Sequence, residues 1–189
     1  SDETVRVWRR QGLPRKTSVA KFFELELHHS VGLELRSAPF YRKAPDLLSD
    51  PESFSRHYDA EDSRRYDKGY VKRYKRLDRA GHVLYVVASG GGLLQMLGVG
   101  DWDTLVAASE ALVRRPDAVQ ELMERTTDFY CDCLERVLSK VSVDYASFYE
   151  PIASNAGPVI SPAMFERFAL PGYLKTYRQG HRILDEAVA

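Results

Sequence analysis

The 189 residues are 44% hydrophobic and 11% aromatic, enough apolar matter for one sizeable core and far from the composition of a disordered chain. The 27 basic residues balance 27 acidic ones, so no global field draws the chain to nucleic acid or to an anionic membrane, and partners must come from local sites. No apolar run reaches the roughly 18 residues of a membrane span. The charged start SDETVRVWRR holds no hydrophobic leader core, and the expectation is a single domain, unprocessed, soluble and cytoplasmic.

Residues 2 to 11 are predicted to form a short amphipathic helix, because Val5 and Trp8 lie three apart among charges and Gly12-Leu13-Pro14 ends the pattern. Thr17 or Ser18 caps a second short helix through Phe22-Phe23. From 27 to 50 no period is sustained. With His28-His29, Pro39, Pro45 and Asp50-Pro51, that stretch reads as irregular connection with its two histidines at the surface. Tyr66, Tyr70, Tyr74 and Leu77 then follow at helical spacing and make one packed face. Lys68, Lys72, Arg73, Lys75, Arg76 and Arg79 make the solvated face. Tyrosines at this spacing pack a core and the chain is neutral, so these cations are not read as a nucleic-acid surface.

His82 to Ala88 is the clearest strand, apolar on both faces as expected where helices cover both sides of a parallel sheet. His82, at its amino end, is structural. The strand opens into Ser89-Gly90-Gly91-Gly92, which lacks the Lys-Ser/Thr of a P-loop and the spacing of a dinucleotide fingerprint. Close approach of backbone to a substrate or to the next helix is the better reading. Two helices follow, Trp102 to Arg114 and Asp117 to Lys140, with Pro116 in the first helical position. The second carries the apolar stripe Leu122, Phe129, Cys133, Leu134, Val137 and Leu138. Cys131 and Cys133 are the two cysteines; two residues apart on a helix they point to different faces, so they read as core rather than disulfide or metal ligands. A reducing compartment suits them.

Residues 143 to 173 carry the most information. Val143, Tyr145, Phe148 and Tyr149 are β-formers and predict a short buried strand, with Asp144 and Glu150 near its two ends and Pro151 as its stop. Ser161-Pro162 supplies an N-cap and a first-turn proline for a last helix, Ala163 through Tyr177. A strand, a loop and a helix in this order belong to α/β folds, which place their chemistry at the carboxyl ends of parallel strands. Asp144 and Glu150, six apart, fall on one side of the strand if no bulge intervenes. Glu150 either contacts a polar substrate, holding a proton if burial raises its pKa, or caps the following loop. Tyr149 offers a phenol donor or packs in the core.

SGGGLLQMLGVGDWDTLVAA, RRPDAVQELMERTTDFY, and DYASFYEP with NAGPVISPAMFERFALPGY together resemble the uroporphyrinogen decarboxylase superfamily. VRVWRRQGLPRKTSVAKFFEL is also similar to the segment preceding "FFGL" in less characterised members, so the resemblance covers most of residues 3 to 177. It implies a TIM-type (β/α)8 barrel. A complete barrel takes about 250 residues and only two strands are clear, so a partial barrel is expected, helix-rich with few parallel strands, from a truncated or internally deleted member.

The activity implied is the cofactor-free removal of acetate carboxyls from uroporphyrinogen, a carbon–carbon lyase reaction of porphyrin biosynthesis, or a related reaction on another small molecule. On the matched motifs, Ser154 takes the place of a substrate-contacting serine, with Asn155 beside it and Gly90, Gly91 and Gly92 lining the substrate; Glu150, Asp144 and Tyr149 are the catalytic candidates. Where the decarboxylases carry a tyrosine after the glycines, this chain has Gln95 to Leu97. The same superfamily holds methyltransferases that use zinc, bound by His-x-Cys and a later Cys, and act with a corrinoid protein; that alternative would bring a zinc cofactor and a protein partner. A homodimer is implied by the resemblance alone. The remaining alternative is a catalytically silent fragment that serves as a helical interaction module, its sheet edges and apolar faces covered by another chain.

Overall fold

The computed structural model describes residues 2–24, 28–35, 46–88 and 92–188. In chain order they form helices α1 (Asp2–Arg10) and α2 (Val19–Phe22), strand β1 (His28–Ser30), helices α3 (Phe54–His57) and α4 (Tyr70–Arg79), and strand β2 (Val83–Val87). Helices α5 (Gly92–Met96), α6 (Trp102–Arg114) and α7 (Pro116–Leu138) precede strand β3 (Tyr145–Ser147), the hairpin β4 (Ala153–Ser154) and β5 (Gly157–Pro158), and helices α8 (Pro162–Phe168) and α9 (Leu170–Val188). No helix among the described residues is long and apolar enough to cross a membrane.

The three longer strands make one parallel sheet in the order β1-β2-β3, with His28 opposite Val83 and Tyr85 opposite Tyr145. The sheet is open; the described strands do not close into a barrel. Two readings of the sequence are corrected here. The stretch 27 to 50 is not wholly irregular, since His28-His29-Ser30 pairs with β2 as an edge strand. His29 is accordingly half-buried, with its Nε2 shut off from solvent and its ring 5.0 Å from that of His82. Conversely, β3 is not a buried strand. It lies on the opposite edge of the sheet, and Tyr145 and Ala146 are exposed.

One face of the sheet carries the helices. Leu84, Val86 and Ala88 alternate onto it and are 1% exposed each. Leu84 packs with Tyr74 of α4 and Val137 of α7, and Val86 with Leu134 and Leu138 of α7. On the other face Val83, Tyr85 and Val87 are only half-buried, so among the described residues helices do not cover both sides as the apolar strand suggested. Tyr74 also ties the carboxyl end of β1 to α4: its hydroxyl accepts from Gly32 N at 3.0 Å and donates to Ser30 O at 2.9 Å.

The helices follow from local signals. Asp101 and Thr104 form a reciprocal capping box at the start of α6. Pro116, with no N–H to lose, opens α7, and the whole predicted stripe on α7 is buried. The tyrosine-rich helix begins four residues later than its periodicity implied, because Gly69 at φ 69° starts it and Tyr66 instead bridges to Leu33. The last helix is divided at Ala169, where Pro171 cannot donate back to the preceding turn. Arg65, 1% exposed, fastens the connections around this body: its guanidinium donates to the carbonyls of Asp59, Glu34 and His57 at 2.7–3.0 Å.

Candidate functional site at the carboxyl ends of the strands

The carboxyl ends of β2 and β3 bring together two groups far apart in sequence. Beyond β2 the chain enters α5 at Gly92, and beyond β3 it runs through Phe148 and Tyr149 to Glu150. Both carboxylate oxygens of Glu150 accept from Leu93 N at 3.0 Å. Gly92 sits at φ +80°, and a Cβ on it would lie 2.4 Å from Glu150 Oε1. The glycine serves the close approach of backbone to a carboxylate, and its left-handed conformation is one that a substituted residue adopts only under strain.

Tyr173 completes the group. Its hydroxyl donates to Glu150 Oε2, and its ring leans on Phe148 and Phe165 at 5.1 and 6.1 Å between centroids. Tyr173 reaches the strand ends because α9 packs close along α7: a Cβ on Gly172 would meet Thr127 Oγ1 at 2.6 Å. The Thr127 hydroxyl is itself occupied by Met123 O at 2.7 Å. Burial pushes the Glu150 carboxyl above its ordinary range, and the hydrogen bonds from Tyr173 and Leu93 N–H pull it part of the way back. Burial likewise raises the Tyr173 phenol, and its bond to Glu150 raises it further. The arrangement is a half-buried carboxyl that keeps its proton to a higher pH than a free glutamate does, fixed by one backbone donor and one phenol.

The other residues singled out from the sequence lie apart from this group or outside the described residues. Asp144 is at the opposite end of β3, where its Oδ2 accepts from Leu84 N at 2.7 Å and its own N–H donates to Leu84 O at 2.8 Å. It fastens the edge strand to β2 and is not brought to Glu150. Tyr149 is 62% exposed and lies beside Glu150 in sequence. Ser154 closes the β4–β5 hairpin: its hydroxyl donates to Gly157 O at 3.0 Å and accepts from Ala156 N at 3.2 Å, and Asn155 is exposed in the turn. The hairpin root, through Ile152 and Val159, packs in the cluster that holds Leu93 and Leu94 of α5, so the turn stands near the site with its serine engaged locally. Gly90 and Gly91 lie outside the described residues.

Tyr173 closes the segment NAGPVISPAMFERFALPGY and belongs to the site, although nothing local in the sequence marks it as such. Its target depends on tertiary structure. No group of three or more His, Cys, Asp or Glu side chains among the described residues could hold a metal ion. Comparison with protein-family models, with curated proteins and with solved structures finds no match to this chain.

Proposed function

We propose that the chain is a uroporphyrinogen decarboxylase-like unit, part of a TIM-type barrel, that cleaves a carbon–carbon bond of a carboxylated small molecule, a tetrapyrrole or a related compound, without a cofactor. The observation that carries the reading is the meeting of Gly92 with Glu150 at the carboxyl ends of adjacent parallel strands, where parallel α/β enzymes keep their active sites. The order β1-β2-β3 with helices on one face agrees with it, since a barrel has its helices outside and its other face inward.

Loss of carbon dioxide from an acetate side chain replaces a C–C bond by a C–H bond. The electron pair of the broken bond stays with the substrate, and each turnover consumes one proton. Glu150 is assigned the role of proton donor, with Tyr173 and Leu93 N–H holding its carboxyl in place and receiving it as carboxylate afterwards. The resemblance in the segments around both residues supports the substrate class.

Incubation with uroporphyrinogen under anaerobic conditions, followed by oxidation and separation of the porphyrins by carboxyl number, tests the reading. The expected result is porphyrins with fewer carboxyls, and a rate lowered by roughly 10²–10⁴-fold in Glu150→Gln with the urea midpoint retained. Unchanged substrate in the presence of a cooperatively folded protein rejects it.

A further inference from the structure

The amino-terminal helices α1 and α2 carry a charge pattern unlike that of the rest of the molecule. Between Val5 and Phe23 stand six cations, Arg6, Arg9, Arg10, Arg15, Lys16 and Lys21, and no acidic residue; Asp2, Glu3 and Glu24 lie outside those limits. All six are exposed, and none has an ion pair among the described residues. Elsewhere cations find carboxylates: Arg64 with Asp62, Arg73 with Asp67, Arg136 with Glu61, Arg167 with Asp117 and Lys175 with Asp128. In a chain of zero net charge, this stretch makes a local positive field.

Three aromatic rings are fixed among those charges. Gly12, at φ +115°, turns the chain after α1, and Leu13 N–H closes the turn on Trp8 O at 2.9 Å. Ser18 caps α2, its hydroxyl accepting from Lys21 N at 3.2 Å. The Trp8 ring meets that of Phe23 at 5.6 Å between centroids and 67°, and Phe22 meets Phe23 at 5.0 Å and 88°. Leu13 is buried, but Trp8, Phe22 and Phe23 stay 36%, 45% and 48% exposed. Large rings scattered singly over a surface are ordinary; three in mutual contact form a patch that something covers.

The boundary of an anionic bilayer satisfies both chemistries at once. Trp and Phe settle where headgroups meet acyl chains, and Arg and Lys run their stems along the apolar surface while their heads reach the lipid phosphates. Single-stranded nucleic acid would answer the charge, but it stacks its bases on open ring faces, and these rings are set edge to face against one another. No helix among the described residues is long and apolar enough to cross a membrane, so the contact is one of helices lying in the interface.

We propose that residues 5–23 are a docking surface for an anionic membrane, with Trp8, Phe22 and Phe23 seated at the acyl boundary and the six cations on the lipid phosphates. This surface is separate from the Glu150 group, and the inference does not rest on the reading of that site.

Trp8 and Trp102 are the two tryptophans. Trp102 is 74% exposed, so the full chain carrying Trp102→Phe keeps Trp8 as its one indole and reports on this surface alone. That protein is mixed with vesicles of phosphatidylcholine, with and without phosphatidylglycerol, and binding is read by co-sedimentation. The expected result is binding to the anionic vesicles that weakens as salt is added, with a blue shift of Trp8 emission and its quenching by lipids brominated on the acyl chains. Arg9→Gln with Arg10→Gln leaves the rings in place and is expected to lower the partition coefficient roughly 25-fold, about fivefold for each cation lost near the surface. Phe22→Ser changes no charge and is expected to weaken both binding and quenching. An unchanged urea transition shows that neither variant disturbs the core. Absence of binding to anionic vesicles at low salt overturns the proposal. Equal binding to neutral vesicles overturns it too, since the cations would then have no part. So does salt-sensitive binding with Trp8 emission unmoved and equal affinity for single-stranded DNA, which would make this a general polyanion surface.

Discussion

Arg65 carries a full charge into the interior, with its guanidinium 4.6 Å over the Phe129 ring and its donors spent on three backbone carbonyls. Removal of the side chain strands those carbonyls and opens a cavity. Each buried polar group left unsatisfied costs about 1–3 kcal/mol, so Arg65→Ala should lose at least about 3 kcal/mol, read as a fall in the urea midpoint at unchanged slope. Glu150 and Asp62 give opposite pH dependences. Burial first, then Tyr173 and Leu93 N–H in opposition, leave the folded Glu150 carboxyl above its ordinary 4.5. Its contribution to stability is therefore full below that pH and falls as pH rises towards its raised value. Asp62, held to about 2 chiefly by the hydrogen bond from the Arg64 side chain, contributes above 3.8 and loses its share as pH falls towards 2. Glu150→Gln should flatten the upper slope of a stability-against-pH curve and leave the acid limb unchanged. At this scale the sequence was informative where a residue's role follows from its neighbours: Glu150 could be read as a strand-end carboxylate, with its cap role and its proton-holding role both open, and the structure gives it both hydrogen bonds and burial. Tyr173 was not legible, because its significance lies in what a distant segment places beside it.

Among the elements, α7 and α9 form the broadest contact, and at Gly172 it leaves no room for a side chain. A methyl at Gly172 must displace α9 or turn Thr127 off Met123 O, and either movement draws Tyr173 away from Glu150. Gly172→Ala should cost about 1–3 kcal/mol by overpacking, and Thr127→Ala should recover part of it. A double-mutant cycle on urea midpoints reads the coupling, and additive losses would show that the contact is not the cause. Helix α6 could be read to both ends, and α7 from Pro116 and one buried stripe to within two residues of its end at Leu138, since 3.6-residue periodicity and a first-turn proline are local properties. Strand β1 could not. His28-His29-Ser30 contains no strong β-former and no alternation, and it is a strand because Val83 to Tyr85 offers it a ladder. The same dependence explains β3, whose apolar residues suggested burial. A strand's position within a sheet is a property of its partners, and among the described residues β3 pairs with β2 alone.

At the scale of the molecule, the sheet presents two unlike faces and, among the described residues, two unpaired edges at β1 and β3. The helical face is closed by Tyr74, Leu134, Val137 and Leu138. The other shows Tyr85 and Tyr145 stacked at 5.1 Å with His28 bonded to the Tyr145 hydroxyl at 3.0 Å. The strand-loop-helix order of residues 143 to 173 forecast an α/β chain, and that much is what the structure has; the sidedness of the sheet depended on which elements return to it. The order of the strands also has a bearing on how the chain is born. Leu84 and Asp144, joined at the sheet, stand 60 residues apart, so β2 leaves the ribosome with no β3 to receive it. At a synthesis rate of about 5–20 residues per second the wait is roughly 3–12 s, much longer than the microseconds in which the α6 and α7 helices can form. Throughout it Leu84 and Val86 are without part of their final cover. The fold thus creates, in every nascent copy, an interval in which an apolar strand is available to a chaperone or to a neighbouring chain.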